Sequence, residues 1–203
     1  MISFQKKFLF VHVPKTAGNS IQSILRRYSE DEIVSSRPGQ DGTERFGVYN
    51  PNYALKKHST LAEYRVALGE KKFRGLYKFT CVRNPWDRMV SHYFSLRRQV
   101  VKWDRQEFGK LVLHTLPVVH YLQLEVGETD PFSNVDRVML FETLAEDFRS
   151  VCAELNIPFA RLPGHNRSRH GHYSQYYDDD LCGLVRERFA LEIERFGYTF
   201  DAL

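Results

Sequence analysis

The chain has 203 residues with a formal net charge of +4; 42% are hydrophobic and 27% charged, the profile of a soluble globular chain able to bury a sizeable core in one domain, 1–203. The charge suits an anionic ligand and is too small to argue for a nucleic-acid partner. No apolar run approaches the ~18 residues that span a bilayer, and Cys81, Cys152 and Cys182 show no metal-ligand spacing and are too few for a disulfide framework, so the expected setting is reduced and cytoplasmic.

The opening MISFQKKFLFVHV places two lysines before an apolar run. That run is too short for a signal peptide and lacks a cleavage-like site. It reads as the first strand, interior over Phe8 to Val13, with His12 its one polar interruption. Pro14 ends the strand, Gly18 loosens the backbone, and Asn19 or Ser20 is expected to cap a helix reaching about Tyr28. From Ser35 to Tyr53 the chain is rich in Gly, Pro, Asn and Asp, the signature of a loop excursion. A short helix follows in STLAEYRVALG, with Ser59 or Thr60 near its cap and Gly69 past its end. GLYKFTCV, Gly75 to Val82, is a second interior strand, leading into a helix in RNPWDRMVSHYFSLRRQV with Pro85 in its first turn. Helix is expected from Arg105 to Leu116 and from Val118 to Glu125. DRVMLF, Asp136 to Phe141, is a third strand, and ETLAEDFRSVCAELNI an amphipathic helix closed by Pro158. The loop RLPGHNRSRHGHYS precedes a last helix from about Asp178 to Phe196. There is no internal repeat.

Strands alternating with helices predict an α/β, P-loop-like three-layer fold with a small central parallel sheet flanked by helices. Ligands of such sheets sit beyond the C-terminal strand ends. Two strand-to-helix turns fall there, PKTAGNS and RNPWDRMVS. The first joins a lysine and two hydroxyls to a helix N-terminus, which suits an anion. It lacks the G-x-x-x-x-G-K-[ST] order of the nucleotide-binding P-loop. In the second, Arg83 offers a planar fork of donors and Ser91, eight residues on, a hydroxyl. Solvated charges on a helix are the bland alternative for Arg83 and Arg88.

PKTAGNS resembles the 5′-phosphosulfate loop of sulfotransferases, and R-NP-xx-R-xx-S their 3′-phosphate motif. MLFETLAEDF, HNRS and the terminal FGYTF extend the resemblance along most of the chain. Within the family the chain looks closest to the carbohydrate branch that includes heparan sulfate 2-O-sulfotransferases, and to small bacterial-type members. The resemblance implies 3′-phosphoadenosine 5′-phosphosulfate (PAPS) as donor, adenosine 3′,5′-bisphosphate as product, and no required metal. By it, Lys15 reaches the oxygen between phosphate and sulfate. Thr16, Ala17, Gly18, Asn19 and Ser20 supply donors to the 5′-phosphate, Arg83 and Ser91 hold the 3′-phosphate, and Arg167 and Ser168 close over the nucleotide.

Sulfuryl transfer to an alcohol needs a base near neutrality, and imidazole is the natural group. Of eight histidines, His12 reads as a packed strand residue and His92 as pointing away from the phosphates. His114 and His120 stand where they can line an acceptor groove, while His165, His170 and His172 crowd the late loop. His58, before a short helix and the strand carrying Arg83, matches the place of the catalytic histidine in the heparan sulfate 2-O-sulfotransferase pattern. KKH stands where that pattern has a second histidine. Lys56 or Lys57 can lower its pKa or bind an acidic acceptor. Glu63 is the fallback base, and Glu142 can orient donor-site residues. The 35–57 excursion and the 102–128 helical insert are expected to shape the acceptor site, with Arg97, Arg98, Lys102 and Arg105 making the insert's entrance basic. The expected partner is a hydroxyl-bearing acceptor, a carbohydrate by family resemblance. A P-loop-type kinase and a non-catalytic nucleotide-binding module are the competing readings.

Overall fold

A computed structural model describes residues 1–35, 46–96, 102–164 and 170–201. In chain order its elements are β1 (Ile2–Ser3), β2 (Phe8–Val11), α1 (Gly18–Leu25), β3 (Glu32–Ser35), β4 (Phe46–Tyr49), α2 (Leu61–Leu68), α3 (Glu70–Arg74), β5 (Tyr77–Val82), α4 (Pro85–Leu96), α5 (Arg105–His114), α6 (Val118–Leu122), β6 (Arg137–Leu140), α7 (Leu144–Glu154), α8 (Asp179–Arg188) and α9 (Ala190–Phe196).

The main sheet runs β1-β2-β5-β6. β2, β5 and β6 are parallel, with Val11 beside Thr80 and Val82 beside Leu140. Every residue of β2 is buried, because alternate side chains feed two cores. Leu9 and Val11 pack with Leu61, Leu68, Val118 and Leu122 on one face. Phe8, Phe10, Phe79 and Met139 pack with Ile21, Leu25, Phe148 and Val151 on the other. Helices therefore cover both faces, giving the three α/β layers expected. A third cluster joins α4, α5 and α8 around Trp86, Tyr93, Phe108, Leu181 and Phe189.

The local departures have physical causes. The first strand is two: Lys7 adopts a left-handed φ of 53°, turning the chain so that β1 pairs antiparallel with β2. Neither Asn19 nor Ser20 caps α1. The N-cap is Ala17 in a left-handed conformation, without a capping side chain. The Ser35–Tyr53 excursion is not loop throughout: β4 lies within it and pairs antiparallel with β3, which ends at Ser35, and their EIVS and FGVY suit strands; residues 36–45 lie outside the described residues. Thr60 forms a capping box with Glu63 at the start of α2. The final helix breaks at Phe189 (φ −120°, ψ 28°), whose ring is buried in the third cluster.

All three parallel strands present their C-terminal ends to one edge, followed by Pro14–Ala17, Arg83–Asn84 and Phe141. The last turn is pinned by Asp147, which accepts from the Leu140 N–H (2.9 Å), the Thr143 hydroxyl (2.8 Å) and Arg137 (3.1 Å). Burial pushes this carboxyl up, but these three donors outweigh it and hold the pKa below the usual value. Its contribution to stability is therefore present above the ordinary aspartate range and lost as pH falls through the lowered folded value. Asp147→Ala should cost roughly 2 kcal/mol in denaturant unfolding and should remove that part of the wild type's acid sensitivity.

Candidate active site

Beyond Val13 the chain turns through Lys15 (φ 71°) and Ala17 (φ 62°), two left-handed non-glycine residues costing roughly 1–3 kcal/mol each. Such turns point successive N–H groups into a concavity that suits an anion. The Thr16 hydroxyl donates to the Val13 carbonyl (2.9 Å), so this side chain braces the turn from inside. With no side chain capping α1, the positive end of its dipole is available beside Gly18, Asn19 and Ser20. Gly18 is required for a reason the loop alone does not show. A Cβ here would lie 2.0 Å from Cδ2 of His12, so the imidazole packs against bare backbone.

On the second loop the two arginines separate. Arg83 lies over the Phe141 ring (4.1 Å). It is gripped by Asp87 through Nε (2.8 Å) and Nη2 (2.7 Å), and its Nη1 reaches the Lys15 carbonyl (3.4 Å). Arg88 turns inward, 1% exposed, and donates from Nε to the Pro14 carbonyl (3.1 Å) and from Nη2 to the Leu116 carbonyl (3.0 Å). Neither is a solvated helix charge. Glu142 accepts from the Asn84 N–H (2.7 Å), fixing the turn that carries Arg83.

The His58 Nδ1 lies 2.8 Å from the His12 carbonyl oxygen. A carbonyl only accepts, so Nδ1 carries the proton and Nε2 keeps the lone pair. The His12 and His58 rings meet edge to face, centroids 4.6 Å apart, and His12 Nδ1 bonds Gln22 Oε1 (2.8 Å). Loss of solvent lowers the pKa of His58; the His12 carbonyl opposes this and the Lys57 charge adds to it. Burial likewise lowers Lys57 to about 8. His92 is held at about 4, by burial first and then by Arg88 and Lys15. His92 is not among the residues that line the cavity, and its Nδ1 faces the Thr115 hydroxyl (3.3 Å).

These loops enclose a cavity of about 360 Å³. Of the residues singled out in the sequence, it brings together Lys15, Ala17, Gly18, Asn19, Ser20, Lys57, His58, Arg83 and Ser91. Thr16 is behind the wall. Glu63 is not in the lining; its carboxylate accepts from the Thr60 N–H (2.8 Å). Arg167 and Ser168, like Arg97 and Arg98, lie outside the described residues. Sequence reasoning missed His12, Phe141 and His170 as lining, whose places depend on contacts far along the chain. His12 and Phe141, each directly after a parallel strand, carried a local signal; His170 carried none.

The sulfotransferase family model matches residues 1–199. The chain belongs to the sulfotransferase family. No curated protein and no solved structure gives a significant match. The protein is thus an enzyme of sulfuryl transfer, and the kinase and binding-module readings give way. Sulfotransferases generally use PAPS, and the donor set of this one fits such a molecule: a lysine and a helix N-terminus at one place, an arginine fork and a buried serine at another. Among the described residues no helix is long and apolar enough to cross a membrane. Gly18→Ala in this sulfotransferase should destabilise by roughly 1–3 kcal/mol, read as a lowered melting temperature, because the His12 ring must leave its place.

Proposed function

We propose that this sulfotransferase moves the sulfuryl group of PAPS to a hydroxyl of a carbohydrate acceptor, with His58 as the base. The observation that carries this reading is the placement of His58, its tautomer set by the His12 carbonyl, in one cavity with Lys15, Arg83 and Ser91. When bound, the donor supplies a sulfuryl group and a phosphate leaving group. Lys15 neutralises charge developing at the bridging oxygen. Thr16, Ala17, Gly18, Asn19 and Ser20 form the 5′-phosphate loop, Thr16 by bracing it. Arg83, already oriented by Asp87 and Phe141, grips the 3′-phosphate with Ser91. Arg167 and Ser168 are assigned to the nucleotide by resemblance alone.

His58 Nε2 takes the acceptor's hydroxyl proton as the new S–O bond forms, and Nδ1–H remains on the His12 carbonyl. Glu63 is the weaker candidate because its carboxylate is engaged in the capping box. The carbohydrate acceptor rests on family resemblance, and no metal is assigned to the reaction. We assign the whole chain, 1–203, to one sulfotransferase domain, with 35–57 and 102–128 shaping the acceptor side. A cytoplasmic location accords with three free cysteines.

Titration calorimetry without added metal should show adenosine 3′,5′-bisphosphate binding about tenfold or more tighter than ADP. Equal affinities would mean that Arg83 and Ser91 hold no 3′-phosphate. His58→Ala should lower turnover about 10²–10⁴-fold while keeping bisphosphate affinity; full activity would remove His58 as base. Because the neutral imidazole is the active form and its pKa is lowered, kcat/KM should rise with pH through a value below the ordinary histidine pKa. It should be level by neutrality.

A further inference from the structure

Arg88 and Glu192 are each 1% exposed and come from different parts of the chain, α4 and α9. Their facing atoms, Nη1 and Oε2, lie 3.8 Å apart, and among the described residues both are buried without a hydrogen bond. The other Glu192 oxygen accepts from the Val118 N–H at the start of α6. Burial pushes the Glu192 carboxyl up to about 7 against the pull of Arg88 and the Val118 N–H, and burial likewise lowers Arg88. Desolvation thus outweighs attraction on both sides. A pair of this kind adds little cohesion that apolar side chains of similar volume would not supply. What apolar side chains cannot supply is a donor to the Pro14 carbonyl, and Pro14 immediately precedes Lys15 in its left-handed conformation.

We propose that Glu192 is a positioning residue for the Lys15 loop, acting through Arg88 on the Pro14 carbonyl. The inference rests on the reading of this cavity as the PAPS site. Glu192 fixes the direction of the buried guanidinium, Arg88 Nε fixes the carbonyl, and the carbonyl sets the peptide from which Lys15 projects. The same carboxylate holds the first N–H of α6, so one side chain joins the helical insert to the donor loop. Arg83 is gripped chiefly by Asp87 and Phe141, and its one bond to the Lys15 loop, to the Lys15 carbonyl, is long at 3.4 Å. The device should therefore act on the 5′ end of the nucleotide and spare the 3′ end.

The test uses the full chain in two forms. Glu192→Gln keeps an oxygen for the Val118 N–H and removes the charge; the double variant Arg88→Met with Glu192→Leu removes the pair and leaves no buried charge. Calorimetry with ADP reports the 5′ side, and with adenosine 3′-monophosphate the 3′ side. Both variants are expected to lose about tenfold in ADP affinity, the size of one displaced charge-assisted hydrogen bond, with the 3′-monophosphate bound as in wild type. The double variant leaves the Pro14 and Leu116 carbonyls and the Val118 N–H without these partners, so it should melt below wild type; 3′-monophosphate binding retained in the same sample separates positioning from folding. ADP binding unchanged in Glu192→Gln, or in the double variant should Glu192→Gln fail to fold, overturns the inference, as does equal loss for both nucleotides. If the wild type binds neither nucleotide, the donor-site reading itself falls.

Discussion

The hydrogen bond from Arg88 Nε to the Pro14 carbonyl (3.1 Å) joins the two loops on which the site depends. A guanidinium that is 1% exposed is costly to bury and persists only where its donors are used. Here two go to backbone carbonyls, at Pro14 and Leu116, and a third faces Glu192. The neighbouring Arg83 does the opposite. Anchored by Asp87 and laid on Phe141, it lines the cavity. Six residues of one strand-to-helix turn, Arg83 to Arg88, thus carry an inward cation that holds the first loop and an outward cation placed for a ligand.

Burial and the cations together act on the histidines. His58 donates to the His12 carbonyl and His12 to Gln22 Oε1. His92 Nδ1 faces the Thr115 hydroxyl (3.3 Å), whose own proton goes to the Leu111 carbonyl (2.7 Å), so His92 must donate as well. All three rings therefore keep their lone pair on Nε2. Loss of solvent comes first in lowering each pKa, and neighbouring positive charge adds to it: Lys57 for His58 and His12, Arg88 and Lys15 for His92. Burial first, with the cations that suit the site to anions adding to it, keeps these imidazoles neutral.

The sequence revealed the parts of this arrangement that are local. The parallel strands, Pro85 in a first helical turn and the two anion-suited turns each follow from a few adjacent residues. The separation of Arg83 from Arg88 does not, because which guanidinium is buried depends on α9 and the Leu116 carbonyl. Gly18 was legible as a flexible position, but its contact with the His12 ring exists only once strand and helix are packed. The β3–β4 hairpin was hidden by the glycine- and proline-rich segment between its strands. The proposed base was located by resemblance, whereas its tautomer depends on a carbonyl 46 residues away.

That last dependence bears on how the site is assembled. His58 belongs to the segment between the β3–β4 hairpin and α2, yet its ring is oriented by β2's extension at His12, and His12 is oriented by Gln22 on α1. The Lys15 loop lies between those same two elements. A shift of α1 relative to β2 would therefore move the anion loop and the imidazole together. Gly18 sets that spacing by letting the His12 ring lie against the helix backbone. The anion-suited loop and the His58 imidazole are in this sense one unit, and their relative geometry depends on packing at a single glycine as well as on the two loops.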